Sequence, residues 1–173
     1  MYTSFEEPAE QILREIESLG YTPKKIVKDP LTGVRIIDNK LFIKSFTLGI
    51  MTNGSLCYKY VRTIDWYGLD LVIVDGVRAI ERVYGNEVLL ELAMNTVLHA
   101  KRHGTTMLFS CVRDLKGVGL SDIDTLADII IALWYGRKGD EIIRKITVLK
   151  MRGSPHSTKV KKLVFDKKGV RIE

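Results

Sequence analysis

The sequence predicts an α/β fold that closes in an all-β segment, and three observations carry that prediction. Strand-like apolar runs alternate with helical patterns over roughly the first two thirds of the chain. The run Leu69–Val74 is almost continuously apolar and ends on Asp75-Gly76, which reads as a buried parallel strand. From Ile142 onward, strand-like stretches follow one another without helices between them. The 173 residues predict one domain, 1–173, long enough to bury a sizeable core. Apolar residues make up 46% and charged residues 28%, which excludes disorder, collagen-like repeats and coiled coil as the main class.

Taken in order, residues 2–5 are short and β-prone. Pro8 stands near the first position of a helix. Ile12, Leu13, Ile16 and Leu19 then share one helical face before Gly20 ends the helix. Val34–Ile37 and Leu41–Ile43 are short strands around the turn signal Asp38-Asn39. Residues 46–68 show no sustained period. Asn86 is placed as the cap of a helix running to about His103, with Leu89, Leu92, Ala93 and Val97 on one face. Thr105–Cys111 reads as the next strand, 113–122 as a Gly-containing loop and Ile123–Ala127 as a short helix. Ile129–Tyr135, Ile142–Met151, Val160–Phe165 and Val170–Ile172 read as strands. The last two are joined by the hairpin turn Asp166-Lys167-Lys168-Gly169.

The net charge of +6 is unevenly spread. Residues 144–173 hold ten Lys and Arg against Asp166 and Glu173, so the C-terminal segment is the part expected to face an anion, a solvated strand face being the plain alternative. Two cysteines, Cys57 and Cys111, build neither a disulfide framework nor a zinc site alone, and Cys111 is expected to be a buried apolar residue at a strand end. The N-terminus lacks a basic segment followed by an apolar stretch, and the run Ile129–Tyr135 is too short for a membrane span. A cytoplasmic protein is expected. One Gln and four Asn beside abundant Lys, Arg, Ile and Val point weakly to a thermophile.

Two constellations could carry chemistry. Glu6 and Glu7 follow one strand, and Asp75 ends another. In a parallel sheet those ends lie on the same edge, where an acid can hold Mg²⁺ through water and a neighbouring Glu can deprotonate an attacking water. The plain alternative is that the glutamates favour a helix N-terminus and Asp75 starts a turn. In Lys150-Met151-Arg152-Gly153-Ser154-Pro155-His156, Lys150 and Arg152 project to the same side of a strand. Two cations with His156 close by would suit a phosphate, an exposed strand face being the alternative. His99 and His103 share a helix face at i, i+4, which could pair on a metal, but no acidic or Cys partner is expected nearby and Lys101 and Arg102 lie between them, so a polar helix face is expected. Arg113 and Lys116 could contact a nucleic-acid backbone, a plain connection being favoured. None of the fourteen glycines is followed by Lys, so these residues contain no G-x-x-x-x-G-K-[ST] phosphate cradle.

These residues together resemble the KaiC-like ATPases of the RecA superfamily, with archaeal, RadA-related members most similar. Tyr2-Thr3-Ser4-Phe5-Glu6-Glu7 with its following helix resembles their second strand and helix. Leu71-Val72-Ile73-Val74-Asp75 resembles their Walker B strand. Leu126–Ile130, Val148–His156 and the hairpin Phe165–Val170 resemble their C-terminal signature. The resemblance implies a RecA-like P-loop NTPase core: a mostly parallel sheet, helices on both faces and a C-terminal β-meander. It further implies ATP and Mg²⁺ as cofactors and ATP hydrolysis at the subunit interfaces of a ring. Glu6 and Glu7 would activate water, Asp75 would be the acid near Mg²⁺, and Lys150, Arg152 and His156 would reach the triphosphate bound by a neighbouring subunit.

Two departures accompany the resemblance. Family members begin with a strand, the P-loop and a helix before the Ser-Phe-Glu-Glu strand, so the first βα unit is missing here and the domain reads as N-terminally truncated. The missing strand is central in such sheets, and its absence is expected to leave two apolar strand edges or force them to close. Members also often have Asp-Ser where this chain has Asp75-Gly76. Three functions follow: an ATPase domain in a homo-oligomer; a non-catalytic subunit lending Lys150, Arg152 and His156 to a complete paralogue in a hetero-oligomer; or a DNA-binding accessory using Lys159, Lys161 and Lys162.

Overall fold

Strand β1 (Tyr2–Ser4) lies inside a six-stranded sheet of order β2-β3-β4-β1-β5-β6. The other strands are β2 (Ile26–Lys28), β3 (Arg35–Ile37), β4 (Leu41–Ser45), β5 (Leu71–Asp75) and β6 (Thr106–Phe109). The computed structural model describes residues 1–49, 53–112, 122–166 and 169–173. It divides into two compact units, Met1–Gly119 and Leu120–Glu173.

In the first unit β4, β1, β5 and β6 run parallel, and β2 and β3 extend the sheet antiparallel. The turn between β3 and β4 is centred on the expected Asp38-Asn39 pair, both at positive φ (50° and 56°), and the Lys40 N–H closes it on the Ile37 carbonyl at 3.0 Å. Asp38 also accepts the backbone N–H of Lys25 at 2.8 Å and the Tyr21 hydroxyl at 2.7 Å, which anchors the segment leading into β2.

Four helices belong to this unit: α1 (Ala9–Ser18), α2 (Asn53–Tyr67), α3 (Val77–Tyr84) and α4 (Asn86–Arg102). Side chains of β1 alternate between faces. Tyr2 packs with Leu13, Ile16 and Leu41 on the core formed by Ala9, Ile12, Ile37 and Ile43, so α1 covers one face. Buried Thr3 accepts a hydrogen bond from Tyr60 of α2 at 3.3 Å on the other face. Helix α4 packs against α2, α3 and β6. This is the expected α/β architecture with helices on both faces. Two expectations differ in detail. Helices α2 and α3 lie where no helix was expected, and Gly85 at φ 88° caps α4, Asn86 being its first helical residue, because the sharp α3–α4 corner demands a conformation that suits glycine.

The second unit is the meander read from sequence: β7 (Ile129–Lys138), β8 (Glu141–Met151), β9 (Lys161–Asp166) and β10 (Gly169–Ile172), antiparallel in the order β10-β9-β8-β7. The short helix α5 (Asp122–Leu126) precedes it. Among the described residues β6 and β7 each pair on one side only. Leu108 on β6 and Ile129, Ile131 and Leu133 on β7 are exposed. The loop carrying Arg113 and Lys116 lies outside the described residues. Among the described residues no helix is long and apolar enough to cross a membrane.

Tyr60 has a stability consequence. Its ring is 2% exposed, and burial pushes its hydroxyl well above the ordinary tyrosine range, the bond to Thr3 pulling weakly the other way. The folded chain therefore keeps a proton that the unfolded chain loses above pH about 10. Stability is full below that pH and falls as pH rises beyond it, by roughly 1.4 kcal/mol per pH unit for one proton. Urea unfolding at pH 9, 10 and 11 is expected to show a flatter decline for Tyr60→Phe than for the native sequence. Parallel declines would show that Tyr60 does not titrate on unfolding.

Candidate functional site

Parallel register sets the site. Ser4 aligns with Ser45 on one side and Asp75 on the other, and Val74 aligns with Phe109, so Ser110 falls beside Asp75. The Phe5 N–H donates to the Asp75 carbonyl (2.9 Å), Phe46 to Ser4 (3.0 Å) and Ser110 to Val74 (3.0 Å). The chain thus leaves the sheet at one edge, the carboxyl ends of the parallel strands. Beneath that edge the rings of Phe5 and Phe46 stack at 5.5 Å, and Phe46 meets Tyr60 at 5.9 Å.

Asp75 is held by two hydroxyls. Tyr2 donates to Oδ2 and Ser110 to Oδ1. Burial, then the bond to Asp75, pushes the Tyr2 hydroxyl well above its usual range, so it remains a donor at neutral pH. Each carboxylate oxygen keeps lone-pair capacity after these bonds. A carboxylate ringed by hydroxyls is an all-oxygen donor set, which fits Mg²⁺ bound through water.

Glu6 and Glu7 follow β1 directly. The Ser4 hydroxyl accepts the N–H of Glu7 at 2.8 Å and of Glu6 at 3.3 Å, folding a turn that carries both side chains over the edge. Glu7 is tied back: Ser45 Oγ donates to its carbonyl at 2.8 Å, and Gln11 Nε2 to its Oε1 at 3.1 Å. Glu6 is exposed and leans over the Asp75–Gly76 corner, its Oε2 standing 3.9 Å from the position of a Cβ on Gly76. That Cβ would meet Ser110 Oγ at 3.6 Å, ordinary contact, so the corner has room for a Cβ there. Both glutamates border an open cleft of about 650 Å³ that also presents Lys28, Arg35 and Arg82.

In the second unit Lys150 and Arg152 do point to one place, the C-terminal end of α5. Lys150 Nζ donates to the Asp124 carbonyl at 3.0 Å, and Arg152 Nη2 to the Thr125 carbonyl at 2.6 Å. Arg152 also pairs with Asp128 at 3.4 Å. Cations at the carbonyl end of a helix are electrostatically favoured. His156 is half-buried just past the turn at Gly153, whose φ is 70°.

Sequence reasoning missed Tyr2 and Ser110 as partners of Asp75. The signal was thin: Tyr2 lies two residues before Ser4 on the same strand face, and Ser110 ends a strand, yet only the register shows that both reach one carboxylate. Cys111 corrects an expectation. It is exposed, because β6 ends at Phe109 and leaves Cys111 beyond the strand. His99 and His103 correct another, since the fold brings Asp65 of α2 against His99.

The geometry is that of an α/β fold with acids gathered at the carboxyl edge of its parallel strands. The family model described as "ATPase: KaiC" matches residues 1–173, and the chain belongs to the KaiC family of ATPases. The circadian clock protein KaiC3 of Synechocystis sp. (strain ATCC 27184 / PCC 6803 / Kazusa) is 28% identical over 173 residues, covering 98% of this chain and 32% of that protein. The circadian clock oscillator protein KaiC of Synechococcus elongatus (strain ATCC 33912 / PCC 7942 / FACHB-805) is 29% identical over 106 residues, covering 59% of this chain and 20% of that one. The chain thus spans a third or less of the length of these curated relatives. The crystal structure of a KaiC-like protein from the hyperthermophilic archaeon Pyrococcus horikoshii OT3 shares the fold, with TM-score 0.71 at 16% identity, covering 99% of this chain and 75% of that one.

Proposed function

We propose that the chain supplies the water-activating and metal-facing edge of an ATP-hydrolysing site, completed between subunits of a cytoplasmic ring. The observation that carries this reading is the convergence of Glu6, Glu7 and Asp75 at one sheet edge, on a chain whose whole length matches a family of ATPases. Glu6 and Glu7 act as general bases toward an attacking water. Asp75, oriented by Tyr2 and Ser110, holds Mg²⁺ through water, and when bound that ion neutralises charge on the phosphates. Lys150, Arg152 and His156 serve a neighbouring subunit's triphosphate, Lys150 and Arg152 exchanging the α5 carbonyls for phosphate oxygens, which accept stronger charge-assisted bonds. The phosphate cradle comes from residues outside this sequence.

One observation favours a second reading. The 173 residues hold no Gly-Lys pair, so a subunit of this sequence alone would lend Lys150, Arg152 and His156 to a complete paralogue. DNA read upstream of Met1 distinguishes the two: an in-frame G-x-x-x-x-G-K-[ST] supports the ATPase domain, and an immediate in-frame stop supports the lending subunit. The role of Asp75 is tested in the assembled protein. Asp75→Asn is expected to raise the Mg²⁺ concentration needed for half-maximal ATP hydrolysis by about 10–100-fold. An unchanged Mg²⁺ requirement would remove Asp75 from the site.

A further inference from the structure

We propose that Asp65, His99 and His103 form a binding site for a divalent transition-metal ion, zinc by its ligand chemistry, that clamps helix α2 to helix α4. The site is separate from the carboxyl edge described above and does not rest on the nucleotide reading.

The ligand set is built by the fold. His99 and His103 stand one turn apart on the last turn of α4 and at its cap, and Asp65 stands in the last turn of α2. The two helices pack against each other. One ligand atom from each of the three residues lies within 4.8 Å of the other two. A tetrahedral zinc site with bonds near 2.0–2.1 Å places its ligand atoms about 3.3 Å apart, a contraction that rotation of these side chains can supply. The imidazole rings already face each other, with centroids 4.3 Å apart and planes tilted by 32°.

The hydrogen bonds prepare the donors. His103 Nδ1 lies 2.9 Å from the His99 carbonyl, so it carries the proton and donates, leaving the Nε2 lone pair available to a metal. His99 Nε2 and an oxygen of Asp65 are in direct contact across the helix pair. A metal entering there binds the Nε2 lone pair of the His99 tautomer that carries its proton on Nδ1, a proton on Nε2 passing to Nδ1 through water, and Nε2 and the Asp65 oxygen both become ligands. Two neutral imidazoles and one carboxylate suit zinc, nickel or copper and not Mg²⁺, which prefers oxygen.

The surroundings favour a cation. Both helices end here, and their C-terminal carbonyls place negative partial charge around the site. Lys101 projects about 200° around the helix from His99, away from the ligand face, and Arg102 flanks that face at about 60° from His99. A cleft of about 190 Å³ lined by Asp65, Asp70 and His103 gives water access to complete the coordination shell.

The test is a Zn²⁺ titration of the untagged chain against a chromophoric chelator, with Co²⁺ absorption as a spectroscopic readout and thermal unfolding in parallel. One Zn²⁺ per chain is expected to bind and to raise the unfolding midpoint. Asp65→Asn and His103→Gln, both at exposed positions, are each expected to weaken binding at least 10-fold, and the pair to abolish both the midpoint shift and the tetrahedral Co²⁺ band. Millimolar Mg²⁺ is not expected to displace the zinc. Absence of Zn²⁺ binding, or binding equal in the native and variant chains, would overturn the proposal, and circular dichroism confirms that each variant is folded.

Discussion

Replacing both Glu6 and Glu7 by glutamine is expected to lower kcat for ATP hydrolysis in the assembled protein by about 10²–10⁴-fold, the range a positioned general base contributes. Nucleotide binding should change little, because glutamine keeps the size and hydrogen-bonding reach of glutamate and loses only the capacity to take a proton. The single variants separate the two roles. Glu6 is exposed and leans over the Asp75–Gly76 corner, whereas Glu7 is tethered by Gln11 and Ser45. Glu6→Gln should therefore account for most of the loss. Glu7→Gln keeps the bond from Ser45, which goes to the backbone, and disturbs only the contact with Gln11. Steady-state kinetics at saturating Mg²⁺ and ATP measure this; a double variant with native kcat would end the assignment.

Arg152→Ala is the second large effect, a loss of about 10³-fold or more in turnover if its guanidinium stabilises the transferring phosphoryl group in trans. Arg152 also bonds the Thr125 carbonyl and pairs with Asp128, so alanine loosens the end of α5. Those exposed contacts carry little stability. Arg152→Lys separates the two roles. It retains a charge near α5 but not the planar fork that suits a phosphate, so turnover should stay low while unfolding is unchanged. A variant with native turnover and a lowered unfolding midpoint would make Arg152 a helix-capping residue only.

Much of the fold is legible because the sheet interior writes itself in long apolar runs. Leu71–Val74 shows a central parallel strand directly, although only Val72 and Val74 are buried and Leu71 is exposed, and the meander shows itself through closely spaced strands and one turn signal. Helix α2 was hidden for a physical reason. Its buried face holds Tyr60, Thr63 and Ile64, a helical spacing that a count of apolar residues breaks at Thr63, whose hydroxyl is satisfied by the Lys59 carbonyl at 2.7 Å. Gly54 and the β-branched and aromatic residues of that segment also have modest helix propensity. Strand β2 is three exposed residues held by pairing with β3, which no local pattern announces.

The candidate site divides in the same way. That Glu6, Glu7 and Asp75 gather follows from parallel strands ending in acids, and the sequence carries it. That Tyr2 and Ser110 grip Asp75 depends on register between strands far apart in the chain. The pairing of Asp65 with His99 depends on how α2 crosses α4, 34 residues later. Contacts of that kind are products of tertiary packing and leave no local trace.

The central claim is that the acids of one subunit and the cations of another complete a single hydrolytic site. Mixing two inactive assemblies tests it most directly: one carrying the double substitution Glu6→Gln and Glu7→Gln, the other carrying Arg152→Ala, allowed to exchange subunits. Some mixed interfaces then pair intact glutamates with an intact arginine, and ATP hydrolysis is expected to recover to a measurable fraction of the native rate. A mixture that exchanges subunits and stays as inactive as its two parents would contradict the claim.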